Sequence, residues 1–338
     1  MSKLFLVLVS AWLGLSVNSA EAAVPSKHIV IAYAAMNARV APLWVARDRG
    51  FFTKYNIDAE TIFVRGAPTL VAAMQSNDID VGYTGGTAVV GAVANGADLK
   101  VLAAFTNRVT YDLMVRPGMK TAEDLRGKKF GIQSIGGTVW MGAILALEHL
   151  GMDAERDKIS IIAVGDQNVL AQALQAGTID ATVLDGVQSR RLSALGFPTL
   201  IDLNKANLPI LSSGVAVREP NIQKNPELIE NILKALIEAA AFSLSQTQKP
   251  ITMKIVQKYL KIGEREAEEG YRDLVNGTDR KPYAAAAGVT NVVRLMKRTN
   301  PKVEKVKAEQ LIDDRILKKL DQSGFIDEVL TKYGVRSF

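Results

Sequence analysis

The sequence predicts an α/β protein built as two doubly wound lobes joined by two crossing strands, with extra helices at the C-terminal end. Three observations carry this. The stretch VAAMQSNDIDVGYTGG from Val71 to Gly86 recurs as AQALQAGTIDATVLDG from Ala171 to Gly186, with Ala73, Gln75, Ile79, Asp80 and Gly86 answered one hundred positions later. Upstream, Lys27 to Gly50 is echoed by Lys128 to Gly151, so the repeat spans whole strand–loop–helix units. The apolar segments are short and nearly continuous, as in parallel strands covered on both faces.

Residues 1–22 read as a cleavable leader. Lys3 supplies the positive start, Leu4 to Val17 the apolar run, and Ala20-Glu21-Ala22 the small residues read by a signal peptidase. The run is broken by Ser10, Gly14 and Ser16 and is shorter than the ~20 residues a membrane span needs. An exported, soluble mature protein is expected. The 338 residues are 48% hydrophobic, enough to bury a large core, and the net charge of +6 survives loss of the leader, which removes one Lys and one Glu.

In the mature chain, His28 to Ala35 is the first strand. Pro42 suits the first turn of the following helix and Gly50 its left-handed stop. Ala59 to Val64 is the second strand, a helix runs from Gly66 to near Asn77, and Ile79 to Tyr83 is the third strand. A helix begins at Thr84-Gly85-Gly86-Thr87, and Leu99 to Phe105 is a further strand. Tyr111 to Arg116 ends at Pro117-Gly118 and is expected to close the first lobe as the outgoing crossover. The second lobe repeats the scheme with strands at Phe130 to Gln133 and Ile159 to Val164, and Ser213 to Val217 is the returning strand.

Beyond it, Asn225-Pro226-Glu227 caps a long helix with Leu228, Ile229, Ile232, Leu233, Leu236 and Ile237 at helical spacing. Helices follow at Glu264 to Val275, Val289 to Lys297, Ala308 to Asp321 and Phe325 to Tyr333. The expected division is residues 23–116 and 213–338 for the first lobe and residues 117–212 for the second. A body joined by two strands can open and close about them, leaving a cleft between the lobes.

Loops at the carboxyl ends of parallel strands line the ligand crevice. Here Gly66 to Thr69, Thr84 to Thr87 and Ser134 to Thr138 each combine glycine with a hydroxyl directly before a helix. Free N–H groups at such helix starts favour anions, although glycine and threonine are also ordinary turn and cap residues. Asn37, Arg39, Asn107, Arg108, Gln167 and Asn168 lie in neighbouring loops. Asp166 and Asp185 also fall there; pointing inward they favour an ammonium group or neutral donor, and otherwise Asp166 caps a helix and Asp185 meets solvent. Tyr33, Tyr83 and Trp140 stand where an aromatic wall or a core residue is equally at home, and Phe105 stands where core packing is the better reading. Asp80 and Asp180 precede their buried strands and are expected to serve the fold.

Other chemistries find little support. There is no cysteine, which excludes disulfides, thiolate catalysis and cysteine-bound metals, and the two histidines, His28 and His149, make no metal or triad site. GxxxxGK, GxSxG and HExxH patterns are absent. The basic stretch at Lys297-Arg298 and Lys302 to Lys307 lacks interleaved aromatics and reads as a solvated face, so no nucleic-acid partner is expected.

PLWVARDRGFF from Pro42, GAPTLVAAMQSNDIDVG from Gly66, DLRGKKFGIQSIGGT from Asp124 and ALQAGTID from Ala173 together resemble the type II periplasmic solute-binding proteins of ABC importers, in the nitrate, sulfonate and taurine group. That group shares its domain with the thiamine-pyrimidine synthases, enzymes carrying a cysteine-rich motif and an active histidine that this chain lacks. The resemblance implies a monomer holding a small-molecule solute between its lobes and docking on an inner-membrane permease, with no cofactor, no metal and no catalytic residue. It implies solute contacts at Asn37, Thr69, Thr84, Gly85, Ser134, Gly136, Thr138, Asn168 and Asp185. The solute expected is a small anion or zwitterion; taurine would reconcile the basic and acidic loops, and a thiamine-type pyrimidine or other heteroaromatic precursor is the alternative.

Overall fold

A computed structural model describes residues 27–297 and 299–336. The expected leader lies outside the described residues. In chain order the strands are β1 Lys27–Tyr33, β2 Ile57–Phe63, β3 Val81–Thr84, β4 Leu99–Arg108 and β5 Asp112–Val115. They continue with β6 Lys129–Ile132, β7 Ser160–Ala163, β8 Ala181–Leu184, β9 Thr199–Asp202 and β10 Pro209–Arg218.

Two five-stranded sheets result, in the orders β2-β1-β3-β10-β4 and β7-β6-β8-β5-β9. In the first, β1 runs parallel to β2 and β3, and β10 runs antiparallel to β3 and β4. In the second, β6 runs parallel to β7 and β8, and β5 antiparallel to β8 and β9. The orders are the same, so the sequence repeat is a repeat of topology.

This symmetry corrects one expectation. The segment YDLMVR was read as the last strand of the first lobe, but β5 within it belongs to the second sheet. The chain therefore crosses at Val109 to Tyr111, before the expected boundary at residue 116. Each sheet receives its antiparallel strand from a segment arriving from the other lobe: β5 enters the second, β10 the first. The crossing segments are themselves paired, with Val109 N–H donating to the Leu208 carbonyl at 2.9 Å and Arg108 in register with Pro209.

The repeated aspartates serve this frame. Asp80 accepts the Val30 N–H at 2.9 Å, and Asp180 accepts the Lys129 N–H at 2.9 Å, each tying its third strand to the start of the first strand of its own sheet. The two helix stops also match, with Gly50 at φ +71° and Gly151 at φ +70°, conformations that suit a residue without Cβ.

The C-terminal helices close the first lobe. The helix Pro226–Leu244 packs on Ala41–Asp48. Asn225 stands at its N-cap without a side-chain capping hydrogen bond, contrary to the expected cap. Trp44, fully buried, stacks on Tyr259 with ring centroids 4.7 Å apart. Tyr259 lies in the helix Lys249–Leu260, which is not among the expected helices; its proline occupies the first turn, where no N–H is needed. The single helix expected from Ala308 to Asp321 is two, Ala308–Leu311 and Arg315–Gln322. Between them Ile312 bridges to Val101 and Asp313 N–H donates to the Val101 carbonyl, so strand pairing interrupts the helix.

Candidate functional site

The lobes meet across a cleft enclosing about 600 Å³, counting its open mouth. Its lining comes from the loop after β1 (Ala34 to Val40), the ends of β3 and β6, the starts of three helices and the crossing segments. Asn37, Thr84, Gly85, Ser134 and Thr138 are brought together there. Thr69, Gly136, Asn168 and Asp185 are not part of the lining. Thr69 and Asn168 are exposed, and Asn168 accepts from Gln188 Nε2 at 2.7 Å. Gly136, at φ +78°, forms the turn that carries Ser134 and Gly137 to the wall.

The local chemistry follows from the helix starts. Gly66, Gly85 and Gly137 are the N-caps of the helices Ala67–Gln75, Gly86–Ala94 and Thr138–His149, and none of the three has a side-chain cap. A helix start without a side-chain cap presents N–H donors and the positive end of its dipole. In the second lobe the next two helices are capped by carboxylates instead: Asp166 accepts from Val169 N–H, and Asp185 from Gln188 N–H.

Those two carboxylates are engaged outside the cleft lining. Asp166 pairs with Arg65 of the first lobe at 2.9 Å. Asp185, which sequence reasoning left either inward or in solvent, is only 4% exposed and lies behind the wall. Burial pushes its carboxyl up, the Arg39 charge opposes that, and the neighbouring Asp273 adds to it, leaving the group at about 6.

Arg39 lines the cleft and is 4% exposed. Its Nη1 donates to the Thr110 carbonyl at 3.4 Å, and its guanidinium lies 4.9 Å from the centre of the Tyr111 ring. Nη2 is buried with no hydrogen-bond partner among the described residues, as are Thr84 Oγ1, Gln167 Nε2 and Ser212 Oγ in the same wall. Gln167 is oriented by its neighbour: Asp185 N–H donates to Gln167 Oε1 at 2.9 Å, which leaves the amide nitrogen as the free end. Buried polar atoms are almost always paired, so four unpaired atoms converging on one cleft, two of them obligate donors, describe a receptor for acceptor oxygens.

Arg39 and Gln167 were noted in the sequence as loop residues within reach but not among the expected contacts. What distinguishes them, burial with an unpaired donor, arises only when β1, β5 and the second lobe are assembled. The aromatic residues divide. Tyr83 and Tyr111 line the cleft, whereas Tyr33 packs on Trp44 and Phe63, and Trp140 borders a separate groove with Ile144, Leu147 and Leu295.

The lobes are in contact. Gln133 Nε2 of the second lobe donates to the Ala34 carbonyl of the first at 3.1 Å, and Arg190 of the second reaches Asp273 of the helix Glu264–Gly277 at 2.7 Å. Arg294 of the helix Ala286–Met296 pairs with Glu148 at 2.8 Å.

Comparisons place this geometry among known proteins. A Brucella abortus (strain 2308) protein described as a binding protein is 26% identical over 238 residues, covering 67% of this chain and 70% of its own. The periplasmic nitrate-binding protein NrtA from Synechocystis PCC 6803 superposes with a TM-score of 0.72 at 13% identity, covering 92% of each chain. The periplasmic aliphatic sulphonate-binding protein SsuA from Escherichia coli superposes with a TM-score of 0.66 at 20% identity, covering 85% of this chain and 92% of its own. The fold is therefore that of the periplasmic binding proteins. No helix among the described residues is long and apolar enough to cross a membrane. The family profile described as NMT1/THI5 like matches residues 37–249, more than half of the chain, and the protein belongs to that family.

Proposed function

We propose that this protein is the extracytoplasmic solute-binding component of an ABC importer, capturing a small anion or zwitterion of the sulfonate, taurine or nitrate type between its lobes. The observation that carries the reading is the convergence of Arg39 Nη2, Thr84 Oγ1 and Gln167 Nε2, buried and unpaired, on one cleft. The uncapped helix starts at Gly85 and Gly137 supply further donors. A hydrogen bond to a charged group contributes about 1.5–3 kcal/mol, and micromolar affinity needs about 8 kcal/mol, so three side-chain donors with helix-start N–H groups suffice without catalysis.

In this reading Asn37, Ser134, Gly85 and Thr138 complete the contact set. The solute favours the closed arrangement because only there do donors of both lobes reach it. An inner-membrane permease receives the loaded form in the periplasm, and the protein catalyses no reaction. The sulphonate- and nitrate-binding proteins of like fold support the class of solute.

A thermal-shift panel on protein unfolded and refolded to strip carried ligand tests the reading. The panel holds taurine, ethanesulfonate, nitrate, bicarbonate and a thiamine-type pyrimidine. A ligand at a hundredfold its Kd stabilises by about 2.7 kcal/mol, a rise of a few degrees for a chain of this size. A rise with one oxyanion is the expected result. A rise with the pyrimidine alone would transfer the site to Tyr83 and Tyr111 and replace the oxyanion reading.

A further inference from the structure

We propose that anion capture at Arg39 is coupled to uptake of one proton by the carboxylate cluster behind it, with Asp185 as the acceptor. The proposal rests on the oxyanion reading of the cleft and adds to it a residue that sets the charge state of the site without contacting the solute.

The cluster forms where three elements meet. The turn Ala38–Val40 carries Arg39, the helix Gly186–Ala194 of the second lobe carries Arg190 with Asp185 at its N-cap, and the helix Glu264–Gly277 packs on both. The last supplies Glu269 and Asp273, and β5 adds Asp112. Arg190 joins them, donating to Asp273 at 2.7 Å and pairing with Glu269, which Arg272 also reaches at 3.1 Å. Asp112 accepts from the Ser189 hydroxyl, and the Tyr111 ring lies against the Arg39 guanidinium.

The charges that act on Asp185 are Arg39, Arg190 and Asp273, so with Asp185 ionised two charges of each sign meet. A solute anion at Arg39 would put one negative charge in excess in a region where Arg39 and Asp185 are each only 4% exposed. A charge withdrawn from water is retained at high cost unless it is paired, and the usual relief is neutralisation. The cheapest proton acceptor is the carboxylate with the fewest donors. Asp185 and Asp112 each accept a single neutral donor, a backbone N–H and the Ser189 hydroxyl, and neither forms an ion pair among the described residues, whereas Asp273 is held by Arg190 and Glu269 by two arginines; of the first two, Asp185 is the one on which the Arg39 charge acts.

A solute anion breaks that balance. Bringing a negative charge to Arg39 Nη2 divides that guanidinium between solute and Asp185, and raises the proton affinity of the nearest unpaired carboxylate. By reciprocity, a proton on Asp185 raises the affinity for the anion by the same factor. The direction already present in the protein agrees: burial pushes the Asp185 carboxyl up, and Asp112 and Asp273 are pushed up by burial as well.

The test is the dissociation constant of ethanesulfonate measured calorimetrically from pH 5 to 8 in Bis-Tris and Tris at constant chloride, with the ¹³C-carboxyl shift of Asp185 followed in the free protein. The wild type is expected to weaken above about pH 6 by as much as tenfold per pH unit, the limit for one proton taken up. Asp185→Asn is expected to bind with a flat pH profile. A flat wild-type profile, or the same slope in Asp185→Asn, overturns the coupling. An Asp185 titration in the ordinary carboxylate range overturns it alone, with no solute involved and with no need for the variant to fold. Failure of ethanesulfonate, and of taurine and nitrate tried in its place, to bind at any pH overturns the oxyanion reading and the coupling with it.

Discussion

Gly85 and Thr138 hold the two lobes at contact: a Cβ placed on Gly85 would overlap the Thr138 hydroxyl, and the Ser212 carbonyl oxygen would lie 3.1 Å from it. Gly85 belongs to the first lobe and Thr138 to the second, so the glycine is needed for the lobes to approach and not for its backbone angles, which any residue adopts. Gly85→Ala is expected to weaken solute binding by at least about tenfold, a loss of ~1.4 kcal/mol, while leaving the melting temperature of ligand-free protein nearly unchanged. Thr138→Ala on that background should recover part of the loss. Titration calorimetry on the single and double variants checks both.

Arg39 supplies the one guanidinium in the cleft wall among the described residues, with its Nη2 unpaired. Arg39→Gln is expected to reduce oxyanion affinity roughly ten- to a hundredfold, since a hydrogen bond to a charged group contributes about 1.5–3 kcal/mol. Equal affinity in the variant would remove Arg39 from the site.

The ion pair Arg65–Asp166 also spans the lobes, but the Arg65 side chain is 60% exposed. Exposed pairs contribute about 0–1 kcal/mol and are screened by salt. Arg65→Ala should change affinity by no more than about fivefold, with the difference vanishing in high salt. Isotherms at two ionic strengths measure it.

Glu238 tests the stability of the C-terminal helices and not the site. Its side chain is fully buried in the helix Pro226–Leu244 and receives Lys54, Tyr55, Lys332 and Tyr333. Burial works to raise its carboxyl, but these four donors outweigh it and hold the group down to about 2. A depressed carboxyl contributes stability that is present above its unfolded value and lost as the pH falls toward the folded one. Glu238→Ala is expected to cost about 3 kcal/mol at neutral pH. Its urea midpoint should converge on the wild-type value as the pH is lowered from about 4.5 toward 2.

Trp140 borders the groove beside Ile144 and Leu147, away from the solute cleft. Trp140→Phe should leave solute affinity within about twofold, or ~0.4 kcal/mol. A larger loss would place an aromatic wall where the geometry has none.

Local pattern and internal repetition made most of the fold legible. Asp80 and Asp180 recur because each fastens one strand to the next, and Gly50 and Gly151 because each ends a helix in the left-handed conformation. Asn37, Thr84, Gly85, Ser134 and Thr138 could be placed because loops at the carboxyl ends of parallel strands converge by topology. Sheet membership was harder: nothing in YDLMVR states which sheet β5 joins, since apolar periodicity records burial and not partners. The break at Ile312 was hidden for a related reason, because a helical period continues across residues whose backbone is claimed by Val101. Arg39 and Asp185 illustrate the limit for chemistry. A charged residue in a loop reads as solvated, and only the packing of three separate elements withdraws these two from water.

The interleaved crossing has a consequence for the order in which the chain assembles. β10 lies between β3 and β4, so the first sheet remains split after β4 is made until residue 209 and those beyond it arrive. The second lobe meets no such delay, because β5 to β9 are contiguous in sequence. Long-range strand pairing is intrinsically slow, and the waiting half keeps apolar strand edges uncovered meanwhile. The second lobe is thus the natural folding nucleus, and the first, which supplies Arg39, is the last part of the molecule to become whole.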